Sequence, residues 1–175
     1  PEYVTDKLSW KKLKKIKEQE LEKLKVDLYN GIFIVAIDSV AKIATDNLGN
    51  THSYDKLILA TGSRAIIPND VQLDLPGRFT LRSKSDADKF KAYLDDTGMP
   101  AQEQHVTIVG GGLLGLELAA ALKEENLNIT LIQRGSRLME RQLDQLSSKL
   151  LARHVEKLGV QIFFSNEVST VFDSD

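Results

Sequence analysis

The chain has no cysteine, so these residues hold no disulfide framework, no thiolate metal site and no redox-active thiol pair. Any redox chemistry here is borrowed from a cofactor. Positive charge is not in excess: 23 Lys and Arg face 25 Asp and Glu, for a net charge of −2, which gives nucleic acid no basic footprint. No apolar run approaches the roughly 20 residues that span a bilayer, and the opening PEYVTDKLSW lacks the apolar core of a signal peptide. The expectation is a cytoplasmic chain with neither a membrane nor a nucleic-acid partner. The three histidines, His52, His105 and His154, lie about 50 residues apart and share no metal-ligand spacing. Ser147 and Ser148 lack the strand-turn-helix context of a nucleophile. No metal site and no catalytic residue is assigned.

What is present is an ordinary globular composition, 42% hydrophobic and 27% charged over 175 residues, enough for one domain or two small ones. Trp10 to Lys25 spaces apolar residues at three and four among lysines and glutamates, which predicts one amphipathic helix with a solvated charged face. From Val26 to Ala60 the texture is β: short β-branched runs around the turn NLGN predict a hairpin or small meander. Leu57 to Ala60, wholly apolar and followed by Thr61-Gly62, reads as a buried sheet strand. Residues 63–77 form an irregular connection, and Ser85 with Asp88 reads as a capping-box start for a helix through about Asp95. Thr97 to Gln104 is a loop.

The remainder is regular. HVTIVG reads as a buried strand, LLGLELAAALKEEN as a helix, NITLIQ as a strand, QLDQLSSKLLARHVEKLG as a helix and VQIFF as a strand. That order, in about 60 residues, is half of a doubly wound parallel sheet.

Between the first strand and the first helix of this half lie Gly110, Gly112 and Gly115, a G-x-G-x-x-G with Gly111 as an extra. The first glycine makes the tight turn, the second lets backbone approach a pyrophosphate, and the third lets the helix pack on the sheet. Free N–H groups and the positive end of the helix then face the phosphates. At the end of the second strand, an acid would bind the adenosine ribose and an arginine would suit a 2′-phosphate. Here stand Gln133 and Arg134, with Arg137 and Arg141 beyond. This allows NADPH and does not exclude NADH, and Arg134 is equally read as a solvated surface residue. Glu117, seven residues past Gly110, is either a buried acid turned towards the nicotinamide or the exposed position of an apolar helix.

Two stretches together resemble one family. YDKLILATGSRAIIP, Tyr54 to Pro68, resembles the place where FAD- and NAD(P)H-dependent pyridine nucleotide-disulfide oxidoreductases close over their flavin. VTIVGGGLLGLELAAAL, Val106 to Leu122, resembles the start of their NAD(P)H-binding Rossmann domain, at about the distance found there. A third stretch, LMERQLD from Leu138 to Asp144, resembles the module of assimilatory nitrite reductase large subunits and nitrate-assimilation electron-transfer subunits. Rubredoxin reductases and NADH oxidases are near relatives. The likeness runs from Trp10 to Phe164.

The resemblance implies that Ala60, Thr61 and Gly62 lie along FAD, and that Gly110, Gly112, Leu113, Leu114 and Gly115 lie along the NAD(P) pyrophosphate. The fold it implies is α/β: a partial FAD-domain segment with a β-meander, then a Rossmann-type parallel βαβαβ NAD(P)-binding half. Residues 1–80 would be the C-terminal part of the flavin domain, 81–104 the connection and 105–175 the nucleotide domain. The protein would align nicotinamide and flavin for hydride transfer, while the cofactors carry the chemistry. Electrons would pass to an acceptor protein or a downstream redox domain, and a homodimer stays open.

The family's flavin glycine motif is missing before Gly110, and its later Gly-Asp flavin segment is missing too. The stretch is therefore expected to be part of a larger flavoprotein, to hold no FAD alone and to bind NAD(P) weakly. The activity expected of the whole is hydride transfer from NAD(P)H to FAD for nitrite or nitrate reduction. Rubredoxin or ferredoxin reductase, NADH oxidase, and a non-catalytic dinucleotide-binding redox sensor are the alternatives.

Overall fold

The computed structural model describes residues 2–13, 18–67 and 74–168. Its contacts separate into two compact units, residues 14–63 and residues 1–13 with 64–175. Of the single helix expected over Trp10 to Lys25, the described parts are α1 (Trp10–Leu13) in one unit and α2 (Glu18–Lys23) in the other. Residues 14–17 lie outside the described residues.

The smaller unit is built on a three-stranded antiparallel meander of β1 (Ile34–Asp38), β2 (Ile43–Asp46) and β3 (Thr51–Ser53). Its organising group is a buried carboxylate, Asp46, at 1% exposure. One oxygen accepts the backbone N–H groups of Leu48 and Asn50 at 2.9 Å each; the other accepts Asn50 Nδ2 at 3.1 Å and pairs with His52 Nε2 at 3.0 Å. The His52 bond, joined by those from Asn50 and Leu48, outweighs burial and holds the acid down at about 2. The NLGN turn thus takes its shape from the residue that precedes it as well as from Gly49.

The buried strand expected at Leu57–Ala60 does not form. These residues are irregular and exposed, Ile58 at 87%. A wholly apolar strand needs sheet neighbours and cover on both faces, and the sheet of this unit ends at β3, with no described residue pairing beyond it.

The larger unit contains α3 (Lys84–Asp96), β4 (His105–Val109), α4 (Leu113–Glu124), β5 (Asn128–Gln133), α5 (Gln145–Lys157) and β6 (Val160–Phe164). The last three strands form a parallel sheet in the order β4-β5-β6, with Val106 opposite Ile129 and Leu131 opposite Ile162. Two right-handed crossovers stepping the same way put α4 and α5 on one face. Burial follows that geometry: Ile108, Ile129, Leu131 and Val160 are buried, whereas Thr107, Val109, Gln161 and Phe163 are exposed. The expected strand forms at His105–Val109, and among the described residues it lies at the sheet's edge with Ile108 buried and Thr107 and Val109 exposed, not buried throughout.

Helix α3 begins two residues earlier than its sequence pattern indicated. Ser83 caps it, accepting the Asp86 N–H at 3.2 Å, while the Asp86 carboxylate accepts the Ser83 N–H at 2.8 Å. The box needs an extended residue at the cap, and Ser83 has that conformation while Ser85 is already helical. The segment from Glu2 to Leu13 docks on this helix through Tyr3. The Tyr3 hydroxyl donates to Asp88 at 2.5 Å, and the ammonium groups of Lys84 and Lys91 lie 5.2 Å from the ring centroid.

Residues 68–73 of the irregular connection and 169–175 of the C-terminal stretch lie outside the described residues. Among those described, no helix is long and apolar enough to cross a membrane.

Two outcomes follow. Ser83→Ala is expected to lower stability by about 1 kcal/mol in thermal or urea unfolding while Ser85→Ala changes little; equal effects would contradict the cap. The Asp46 carboxylate, held at about 2 against an ordinary 3.8, stabilises fully above about pH 4 and loses that contribution as pH falls towards 2. Amide exchange at Leu48 and Asn50 should quicken across that window, and Asp46→Ala should remove the step and speed exchange at every pH.

Candidate functional site

The site grows from the end of β4. The Gly110 N–H extends the sheet ladder by donating to the Ile132 carbonyl at 2.8 Å. Gly110 then turns the chain at φ +115°, which side-chain-bearing residues rarely adopt. Gly112 is extended and is the N-cap of α4, with no side chain capping the helix. Leu116 N–H donates to the Gly112 carbonyl, so the N–H groups of Leu113, Leu114 and Gly115 precede the first intrahelical bond.

The glycines divide by what surrounds them. A Cβ added at Gly110 or Gly112 meets nothing within 4 Å, whereas one at Gly115 collides with the Gly110 carbonyl oxygen and lies 3.4 Å from Ile108 Cγ2. Gly115 thus lets α4 press against the strand end, and Gly112 leaves one edge of the loop open. Gly111, which the sequence marked only as an extra, is buried. A Cβ there would sit 2.6 Å from Leu138 Cδ2 and 3.2 Å from Gln133 Oε1.

Gln133 and the turn after β5 hold this loop from behind. Gln133 Oε1 accepts the Gly111 N–H at 2.8 Å, the Met139 N–H donates to the Gly111 carbonyl at 3.1 Å, and Leu138 is fully buried beneath. The Leu138 carbonyl in turn accepts the Ser148 hydroxyl of α5 at 2.8 Å. Leu138 and Met139 were noted in the sequence within LMERQLD and Ser148 was set aside as a nucleophile, but their support of the loop was missed; the signal for it was a third consecutive glycine, which needs a close neighbour to explain it.

Leu113 and Leu114 are exposed on the first turn of α4, and Glu117 is exposed one turn on, the second of its two readings. Arg134 and Arg141 are exposed beside the turn, and Arg137 is half-buried with its guanidinium donating to the Glu140 carbonyl at 3.2 Å. Asp144 caps α5 by accepting the Ser147 N–H at 2.7 Å, and that bond holds its carboxyl below the usual range. Ala60, Thr61 and Gly62 are exposed and belong to the smaller unit. The described residues contain no group of three or more His, Cys, Asp or Glu placed to hold a metal ion.

A family model described as pyridine nucleotide-disulphide oxidoreductase matches residues 4–175. The chain belongs to the pyridine nucleotide-disulphide oxidoreductase family. It is 33% identical over 138 residues to the nitrite reductase [NAD(P)H] large subunit of Klebsiella oxytoca, covering 79% of this chain and 14% of that protein. It is 29% identical over 146 residues to the assimilatory nitrate reductase electron transfer subunit of Bacillus subtilis, covering 83% and 18%. Among solved structures it resembles the water-forming NADH oxidase of Lactobacillus brevis bound to NADH, at 26% identity and a TM-score of 0.80, over 99% of this chain and 38% of that one. The chain thus spans under a fifth of the length of these two curated relatives.

Proteins of this family use a nicotinamide dinucleotide and a flavin. The Gly110–Gly115 loop fits the former: an open edge at Gly112, an uncapped helix start and a rigid back are what a pyrophosphate requires. Ala60–Gly62, expected along the flavin, is an exposed stretch with no turn into a helix.

The glycine geometry separates folding from binding. Gly115→Ala forces a backbone collision and should lower stability by about 3 kcal/mol or more. Gly112→Ala meets no protein atom, so it should leave the melting temperature nearly unchanged while weakening dinucleotide affinity at least about tenfold. Calorimetric titration and thermal melts of both variants check this; normal binding by Gly112→Ala would show that the open edge is not the phosphate side.

Proposed function

We propose that this chain supplies the NAD(P)H-binding half-site and part of the flavin domain of an FAD-dependent oxidoreductase that delivers electrons for nitrite or nitrate reduction. The observation that carries this reading is the glycine loop, open at Gly112, closed at Gly115 and leading into an uncapped helix. The likeness to a nitrite reductase large subunit and to a nitrate reductase electron transfer subunit supports the electron destination. Residues 1–80 belong to the flavin domain in this proposal, 81–104 connect, and 105–175 begin the nucleotide domain.

Gly110, Gly112, Leu113, Leu114 and Gly115 line the pyrophosphate, with their backbone N–H groups and the start of α4 neutralising its charge. Gln133 and Arg134 stand where the adenosine ribose falls, Glu117 lies one turn along α4, and Ala60, Thr61 and Gly62 border the flavin. When bound, the nicotinamide would supply a hydride and the flavin would allow single-electron transfer, so the protein's work is positioning. The whole enzyme acts in the cytoplasm, and its electrons go to an acceptor protein or a downstream redox domain. A second reading, an NADH oxidase, is favoured by the likeness to the Lactobacillus brevis enzyme.

Titration of the chain with NADH and with NADPH, followed by calorimetry and by melting temperature, tests the proposal. Binding heat and a raised melting temperature are expected with at least one coenzyme. A preference for NADPH that is lost in Arg134→Ala assigns the 2′-phosphate to Arg134, and equal affinities make Arg134 a solvated residue. No heat and no shift with either nucleotide at about millimolar concentration, well above the weak end of specific binding, would overturn the site.

A further inference from the structure

The amide at the end of β5 is already engaged at both ends. Gln133 Oε1 accepts the Gly111 N–H at 2.8 Å, and Gln133 Nε2 donates to the Arg137 carbonyl at 3.2 Å. The partners fix which end is which, because a backbone N–H only donates and a carbonyl oxygen only accepts. The same turn returns a second bond to the loop, from the Met139 N–H to the Gly111 carbonyl at 3.1 Å. Gly111 is thereby tied through both of its backbone polar groups, to the end of β5 and to the turn that follows it.

We propose that Gln133 is a positioning residue of the dinucleotide site: its amide clamps the glycine loop to the turn after β5 and sets the loop's shape without reading the ribose. The proposal deepens the function given above and rests on it. An acid would be the expected ribose reader at this strand end. A carboxylate here still accepts from Gly111, but it turns a second acceptor towards the Arg137 carbonyl and has no proton to offer it. Glutamine is the side chain of this length that satisfies a donor on one side and an acceptor on the other. With the loop held from behind, the edge at Gly112 and the start of α4 meet a ligand in a shape that binding need not impose.

Two substitutions in the chain test the clamp. Gln133→Met keeps the length, removes both hydrogen bonds and adds no charge. Well below its melting temperature it should weaken NADH and NADPH by the same factor, about tenfold, the equivalent of roughly one or two lost hydrogen bonds. Loss confined to one coenzyme, or no loss, overturns the proposal, since a ribose reader acts on one and an idle residue on neither.

Gln133→Glu changes one group at constant shape, and its readout needs no nucleotide. At about pH 8 the carboxylate cannot donate to Arg137, so the variant should melt below the unsubstituted chain; towards pH 5 and below, protonation restores an O–H donor and the difference should shrink. A difference that does not vary with pH overturns the clamp. If the unsubstituted chain binds neither nucleotide, the proposed function fails, and the nucleotide-free melting difference alone then decides the clamp.

Discussion

The Gly110 carbonyl oxygen rests where any side chain at position 115 would have to be. That single close approach sets how deeply α4 sits on the parallel sheet. Because α4 begins at Leu113 and β4 ends at Val109, the three residues Gly110, Gly111 and Gly112 make the whole turn. A helix standing further off would need a longer connection, and its first N–H groups would no longer converge beside the strand end. The way the helix start is presented is therefore a by-product of packing: the same contact that seats the helix on Ile108 also aims its positive end.

The parallel half of the fold was legible because its signals are local. Alternating apolar strands and longer apolar helices, punctuated by Gly110, Asn126 and Gly159, state their boundaries within a few residues of where they fall. Three features were not legible, for physical reasons. Ser83 and Ser85 are chemically equal cap candidates, and the choice between them lies in the extended backbone at 83, which depends on how Arg82 and Ser83 meet the Asp86 carboxylate. Leu57–Ala60 has the composition of a buried strand, but burial is a property of neighbours that a local run does not encode. One-sided cover of β4 follows from both crossovers stepping in one direction, which is topology and not composition.

At the candidate site, the glycines of the loop were easier to read than the residues that support them. Glycines 110, 112 and 115 announce themselves by spacing. Gln133 was visible as the residue at a strand end, but its bond to Gly111 joins residues 22 apart in sequence while its bond to Arg137 closes the local turn. Nothing in Leu138, Met139 or Ser148 marks them as part of that support, because a leucine, a backbone amide and a serine acquire this meaning only through contact.

Ser148 carries this furthest. It is a buried hydroxyl on α5, and it is spent on the carbonyl of Leu138, whose side chain backs Gly111. Helix α5 thus supports the glycine loop through Leu138. Mutational drift along the inner face of α5 would register first as a change in how the loop is presented and only later as a loss of fold. In a lineage of such proteins, the shape of the loop would then be tuned from beneath the sheet end.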